Sequence, residues 1–184
     1  MNSSALAITP NSTMAEVEAS APGARRALFA RYHIGGCQSC GFQPDETLSQ
    51  VCARNEDIDV DEAIAHIESS HQHDLELQIT PAELKEKLEG GEVALIDLRT
   101  REEFEAVKIP GAVLFSQELQ QDIFGTWDKD RDIVLYDHTG TRCLDATAFI
   151  IGHGFTQVHA LAGGIDAYSR EVDPSIARYR LELD

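Results

Sequence analysis

The residues best suited to chemistry in this chain are its four cysteines, Cys37, Cys40, Cys52 and Cys143. The tightest pair is Cys37-Gln38-Ser39-Cys40, in a turn bracketed by Gly35, Gly36 and Gly41. Two intervening residues let the thiols close a small disulfide, and a following helix N-terminus would stabilise the attacking thiolate. The same spacing supplies half of a tetrahedral zinc or iron–sulfur site, with Cys52 and His33 as candidates to complete it. No second C-x-x-C pair is present, so a redox dithiol without a cofactor is the leading expectation. A zinc or iron–sulfur site is the alternative.

The first third of the chain must position that turn, and it reads as short helices. Thr13 with Glu16 forms a capping-box pattern, opening a helix that Pro22-Gly23 ends. A second helix fits Ala24 to Tyr32 and a third Glu46 to Arg54. Asp59 with Glu62 caps a fourth, whose Val60, Ala63, Ile64 and Ile67 share one face. The polar, aperiodic run Ser69 to Asp74 predicts a boundary, giving a helical domain over 1–70, a linker over 71–77 and a second domain over 78–184.

From Gln78 the pattern changes. Thr80-Pro81-Ala82-Glu83 opens a helix that Gly90-Gly91 closes, and Val93 to Leu98 is a continuous apolar run of the kind found in buried parallel strands. Thr100 with Glu103 caps a short helix. Ala112–Phe115, Ile133–Tyr136 and Val158–Leu161 read as strands, Arg142–Ile151 and the stretch from Gly164 to Arg170 as helices. Strands alternating with helices predict a mainly parallel sheet covered on both faces. There is no internal repeat and no low-complexity tract.

Composition bounds the function. Of the 184 residues, 42% are hydrophobic, which is enough to bury a core. A formal net charge of −17 argues against nucleic acid and against an anionic membrane surface as partner, while suiting a basic protein partner. Met1 to Pro10 lacks the basic and apolar regions of a secretory leader, and no apolar stretch reaches membrane-spanning length. The expected compartment is therefore the reducing cytoplasm, where four cysteines do not build a disulfide framework.

Three segments then carry a family resemblance. Leu95-Ile96-Asp97-Leu98-Arg99 with Glu102-Glu103-Phe104, Ile109-Pro110-Gly111-Ala112 and Leu161-Ala162-Gly163-Gly164-Ile165 resemble, in order, the landmarks of a rhodanese-like domain. The Gly-His pair that usually precedes the second landmark is here Val107-Lys108. The resemblance implies an α/β fold with a parallel sheet flanked by helices, preceded by the small all-α domain. It also places the active-site loop at Asp137-His138-Thr139-Gly140-Thr141-Arg142, where rhodaneses read Cys-x-x-Gly-x-Arg. Such a loop points backbone N–H groups and a helix N-terminus at an anion and stabilises a cysteine persulfide. Its six-residue length suits sulfur transfer rather than a phosphatase loop.

Gly140 and Arg142 match that pattern, but Asp137 stands where the nucleophilic cysteine is expected and cannot carry a persulfide. Two readings of Asp137 follow. Its carboxylate accepts the cradle's own N–H groups, or it pairs with His138 for acid–base work. Cys143, directly after Arg142, is either a displaced nucleophile favoured by the helix dipole or a small buried side chain.

The region from about Ile8 to Glu68 resembles the redox-disulfide domains associated with hybrid-cluster proteins, and more distantly the N-terminal domain of iron-centre repair proteins. The matching residues are Thr13 to Val17, Tyr32 to Cys40 and Glu46 to Leu48. That resemblance implies an exposed dithiol at Cys37 and Cys40. The expected protein is a thiol redox or sulfur-handling one. Its partner would be a thiol or persulfide donor or acceptor protein, and its rhodanese-like domain would be inactive in ordinary sulfurtransfer. A non-catalytic docking module is the rival expectation.

Overall fold

The computed structural model describes residues 7–35, 41–56, 58–91 and 93–179, and the chain divides into two compact units, 1–76 and 77–184. Cys37 and Cys40 lie outside the described residues.

Unit 1 contains α1 (Met14–Ser20), α2 (Ala24–Tyr32), α3 (Leu48–Arg54) and α4 (Val60–Glu76). Capping explains where these helices start. Thr13 and Glu16 exchange side-chain and backbone bonds at the start of α1, and Thr47 and Gln50 do the same for α3. The third helix therefore begins at Leu48 and not at Glu46, because Thr47 supplies the cap. Asp59 caps α4 by accepting from Asp61 N and Glu62 N at 2.9 and 3.0 Å. Met14, Val17, Leu28, Ile34, Leu48 and Ile67 are among the side chains that form the buried core.

The expected linker over 71–77 is not there. Residues 71–76 are the last turns of α4, which runs unbroken to Glu76. The reason is tertiary. Asp74, only 3% exposed, pairs with Arg26 of α2, so a polar stretch that looks like a linker in sequence is held as helix.

Unit 2 is built on β1 (Gln78–Ile79), β2 (Ala94–Asp97), β3 (Val113–Leu114), β4 (Ile133–Tyr136) and β5 (Val158–Leu161), with α5 (Pro81–Gly90), α6 (Arg101–Ala106), α7 (Gln117–Thr126), α8 (Arg142–Gly152) and α9 (Gly164–Glu171) between and after them. The strands form one parallel sheet in the order β1-β5-β4-β2-β3. Alternation along each strand feeds two cores. Leu95, Val134, Tyr136 and Leu161 pack with Leu84, Ile165 and Tyr168 of α5 and α9 on one face. Ile96, Ile133, Leu135, Val158 and Ala160 pack with Ile123, Leu144 and Ile150 of α7 and α8 on the other. Burial on both faces is why these strands read as unbroken apolar runs. The parallel sheet flanked by helices is as expected, whereas β1 and α7 have no counterpart in the sequence reading. No helix among the described residues is long and apolar enough to cross a membrane.

Candidate functional site

Because the strands are parallel, their carboxyl ends share one edge, where open α/β sheets usually place ligands. The loop from Asp137 to Arg142 leaves β4 there and enters α8. Asp137 is 4% exposed, and its carboxylate turns back into its own loop. Oδ1 accepts from Thr139 N at 2.9 Å and from Gly140 N, and Oδ2 accepts from Arg142 N at 2.5 Å and Cys143 N at 3.1 Å. The last two donors belong to the first turn of α8, whose N-cap Thr141 makes no side-chain cap bond. Asp137 thus caps α8 from a distance, placing a carboxylate where the helix dipole favours negative charge. Of the two sequence readings of Asp137, the cradle-filling one describes this geometry.

A second motif holds the loop from below. The backbone N–H of Ile165 donates to Asp137 O at 2.9 Å, and that of Asp166 to His138 O at 3.2 Å. Two glycines let the backbones approach this closely. A Cβ on Gly140 would lie 2.6 Å from Gly163 N, and one on Gly164 would lie 2.5 Å from Asp137 O. Both glycines have positive φ, +86° and +59°, which a side chain would strain. The Gly163-Gly164 pair is therefore part of the loop's mould.

The side chains of the loop diverge. The His138 ring packs against Tyr179 at a tilt of 45°, with ring centroids 4.6 Å apart, while its Nδ1 is buried without a hydrogen-bond partner among the described residues. The proposed Asp137–His138 acid–base pair is therefore not assembled, because both carboxylate oxygens are taken by backbone donors. Thr139, Thr141 and Arg142 are exposed at the rim. An open cleft of about 430 Å³ lies beside them, lined by His138, Thr139, Asp166, Arg178 and Tyr179.

Cys143 corrects the displaced-nucleophile expectation. It is fully buried among the α7–α8 core residues. Burial pushes its thiol well above the ordinary cysteine value, and the neighbouring Asp137 carboxylate pushes it further. A thiol held neutral and out of reach is not a nucleophile. Cys52 is also in an apolar core, 1% exposed, with burial and then Asp59 raising its thiol. His33 ends α2 in the left-handed conformation and packs edge-on against Phe29. Cys52 is thus enclosed in the core, whereas His33 is exposed, and Cys37 and Cys40, the other two residues of the zinc or iron–sulfur alternative, lie outside the described residues.

A buried polar network that sequence reasoning missed supports the same edge of the sheet. Arg99 forks onto Asp97, with Nε–Oδ1 at 2.9 Å and Nη2–Oδ2 at 2.5 Å, and both side chains are almost completely buried. Its remaining donors reach Val107 O at 2.7 Å and Tyr179 Oη at 2.7 Å, so the buried guanidinium is well satisfied. The Tyr179 hydroxyl donates to Glu103 Oε1 at 2.6 Å. Burial, and then the Glu103 bond, push that hydroxyl up to about 12. Burial opposes ionisation of Glu103, yet the bonds from Tyr179 and Thr100 hold its carboxyl below the usual range. Arg99 lies within a segment already singled out in the sequence, but nothing local marks Tyr179.

The rhodanese-like domain family matches residues 80–171. The chain is 38% identical over 104 residues to the probable adenylyltransferase/sulfurtransferase MoeZ of Mycobacterium tuberculosis, a match spanning 55% of this chain and 26% of that protein. It is 34% identical over 101 residues to a sulfurtransferase of Allochromatium vinosum, spanning 54% of this chain and 94% of that one. The chain thus spans only about a quarter of the MoeZ protein but nearly all of the single sulfurtransferase. The crystal structure of reduced Bacillus anthracis CoADR-RHD matches with a TM-score of 0.50 at 20% identity, over 67% of this chain and 22% of that chain, a likeness of fold alone.

Proposed function

The chain belongs to the rhodanese-like domain family, and from that premise we propose a thiol redox or sulfur-handling protein whose rhodanese-like unit does not itself carry sulfur in ordinary sulfurtransfer. Two sulfurtransferase relatives support the sulfur-handling class. The observation that carries the rest is the Asp137 carboxylate, which occupies the loop's first position and takes four of its backbone N–H groups. A persulfide needs a thiol sulfur to bond the transferred sulfur atom, and a carboxylate has none. The donors that would hold an incoming thiosulfate or a bound persulfide are already engaged.

In this reading the thiol chemistry falls to Cys37 and Cys40, within a helical unit that resembles the redox-disulfide domains. The pair would close to a disulfide by exchange with a disulfide of the partner protein, which takes up the two electrons and two protons and leaves as two thiols. The partner is a thiol or persulfide donor or acceptor, with a basic surface suited to a chain of net charge −17. The setting is cytoplasmic, and the reading needs no metal. The cleft beside the loop favours a second role for unit 2, as the surface on which that partner docks.

Thiosulfate:cyanide sulfurtransfer tests the proposal. The unmodified protein should produce no thiocyanate above background, and Asp137→Cys should gain a persulfide, seen by mass spectrometry, together with turnover. Robust activity of the unmodified protein would overturn the reading. A folded Asp137→Cys protein that takes no sulfur would leave unit 2 as a docking module alone.

A further inference from the structure

The segment after α9 lies beyond the span matched by the family, which ends at residue 171, yet it is built into the surroundings of the loop. It is tied down at three points. Ile176 is buried in the α5–α9 core, and its carbonyl accepts from Ser169 Oγ at 2.6 Å. Arg178 forks onto Asp166 near the start of α9, with Nε–Oδ1 at 2.7 Å and Nη2–Oδ2 at 3.1 Å. Tyr179 bonds Arg99 and Glu103 through its hydroxyl and packs its ring, tilted, against that of His138. These ties run from α9, across His138, to the first turn of α6.

We propose that residues 176–179 are a strap over the Asp137 loop, and that Tyr179 governs access to His138 from the cleft. The ties are of unequal strength. The Arg178 side chain is half exposed, so its pair with Asp166 is screened and weak. Tyr179 makes two bonds to charged groups at a partly buried site, and bonds of that kind are the strong ones. Arg178 and Tyr179 also supply two of the five residues lining the cleft. Whatever enters the cleft meets the strap together with His138 and Thr139 of the loop. The strap rests on the geometry of the loop and is independent of whether the loop handles sulfur.

Carbethoxylation of individual histidines by diethyl pyrocarbonate, followed by mass spectrometry on the full chain, tests this. Exposed His153 serves as the internal reference. Tyr179→Ala removes both bonds and the covering ring, and should speed modification of His138 on the order of tenfold with His153 unchanged. Tyr179→Phe keeps the ring and should give a smaller rise. Arg178→Gln cuts only the weaker tie and should give the smallest. An equal His138 rate in the unmodified protein and in Tyr179→Ala would overturn the proposal. So would a rise shared equally by His153, since that would make Tyr179 a general support of the fold.

Discussion

Replacing Asp137 by alanine tests the central geometric claim directly. The carboxylate serves four backbone donors, and their surroundings differ. Thr139 and Arg142 are exposed residues whose N–H groups can turn to water. Gly140 and Cys143 are buried, and each stranded donor costs about 1–3 kcal/mol. The sum is about 2–6 kcal/mol, and water entering the space left by the carboxylate pulls it toward the lower half, about 2–4 kcal/mol. Asp137→Asn is the sharper variant, because it keeps the shape. Its amide oxygen can serve one pair of donors, but its NH₂ then faces the other pair, so it should lose much of the same stability.

The chain has one tryptophan, Trp127, which lies in unit 2 and packs against the α7–α8 core. Its fluorescence in a denaturant titration therefore reports unit 2 without the complication of a second unfolding unit. Amide hydrogen exchange should lose protection at Gly140 and Cys143 first. Sulfate should then stabilise Asp137→Ala and leave the unmodified protein nearly unchanged, since only the variant has free donors at the start of α8. A loss within about 0.5 kcal/mol, the range of an ordinary surface substitution, with unaltered exchange, would show that the carboxylate does not hold this loop.

Two further outcomes follow from the same region. Gly164→Ala places a Cβ 2.5 Å from Asp137 O at a φ of +59°. Left-handed strain and overpacking together should cost about 2–4 kcal/mol in the Trp127 titration, and a loss below about 1 kcal/mol would refute the interlocking of the two segments. Cys143 should resist iodoacetamide in the folded protein at about pH 9 and react once urea is added. Its raised thiol value stabilises the fold in full below the unfolded value of about 8.5, and that contribution is lost as pH climbs toward the folded value. Ready alkylation of the folded protein would restore Cys143 as a candidate nucleophile.

What was legible in the sequence was local. The Thr13, Thr80 and Thr100 capping boxes need only residues three apart, and all three form. The apolar runs of β2, β4 and β5 announce strands covered on both faces. The failures came where distant partners decide. Residues 69–74 look like a linker until Arg26 is seen to pair with Asp74, and a polar helix end needs such a partner to stay helical. Strand β1, two residues long, has no signal of its own and is defined by its register with Ala160 and Leu161 of β5.

The candidate site divides in the same way, and the division explains what Asp137 does. Its place in the loop is visible from Gly140, Arg142 and the strand-to-helix change. Its role depends on which way the carboxylate points, and that is settled by competition for the donors at the start of α8. Thr141 leaves them uncapped, Gly140 permits the tight return, and Gly163-Gly164 holds the loop from below, so a carboxylate at position 137 has four donors within reach. Once it takes them, His138 has no acidic partner in the loop and is left to Tyr179, a residue 41 positions further along the chain. A loop built to receive an anion has been closed by one of its own. The loop's exposed side chains are those of Thr139, Thr141 and Arg142 at its outer rim, while Tyr179, which packs against His138, lies beyond the family's span, where the family's landmarks give no signal.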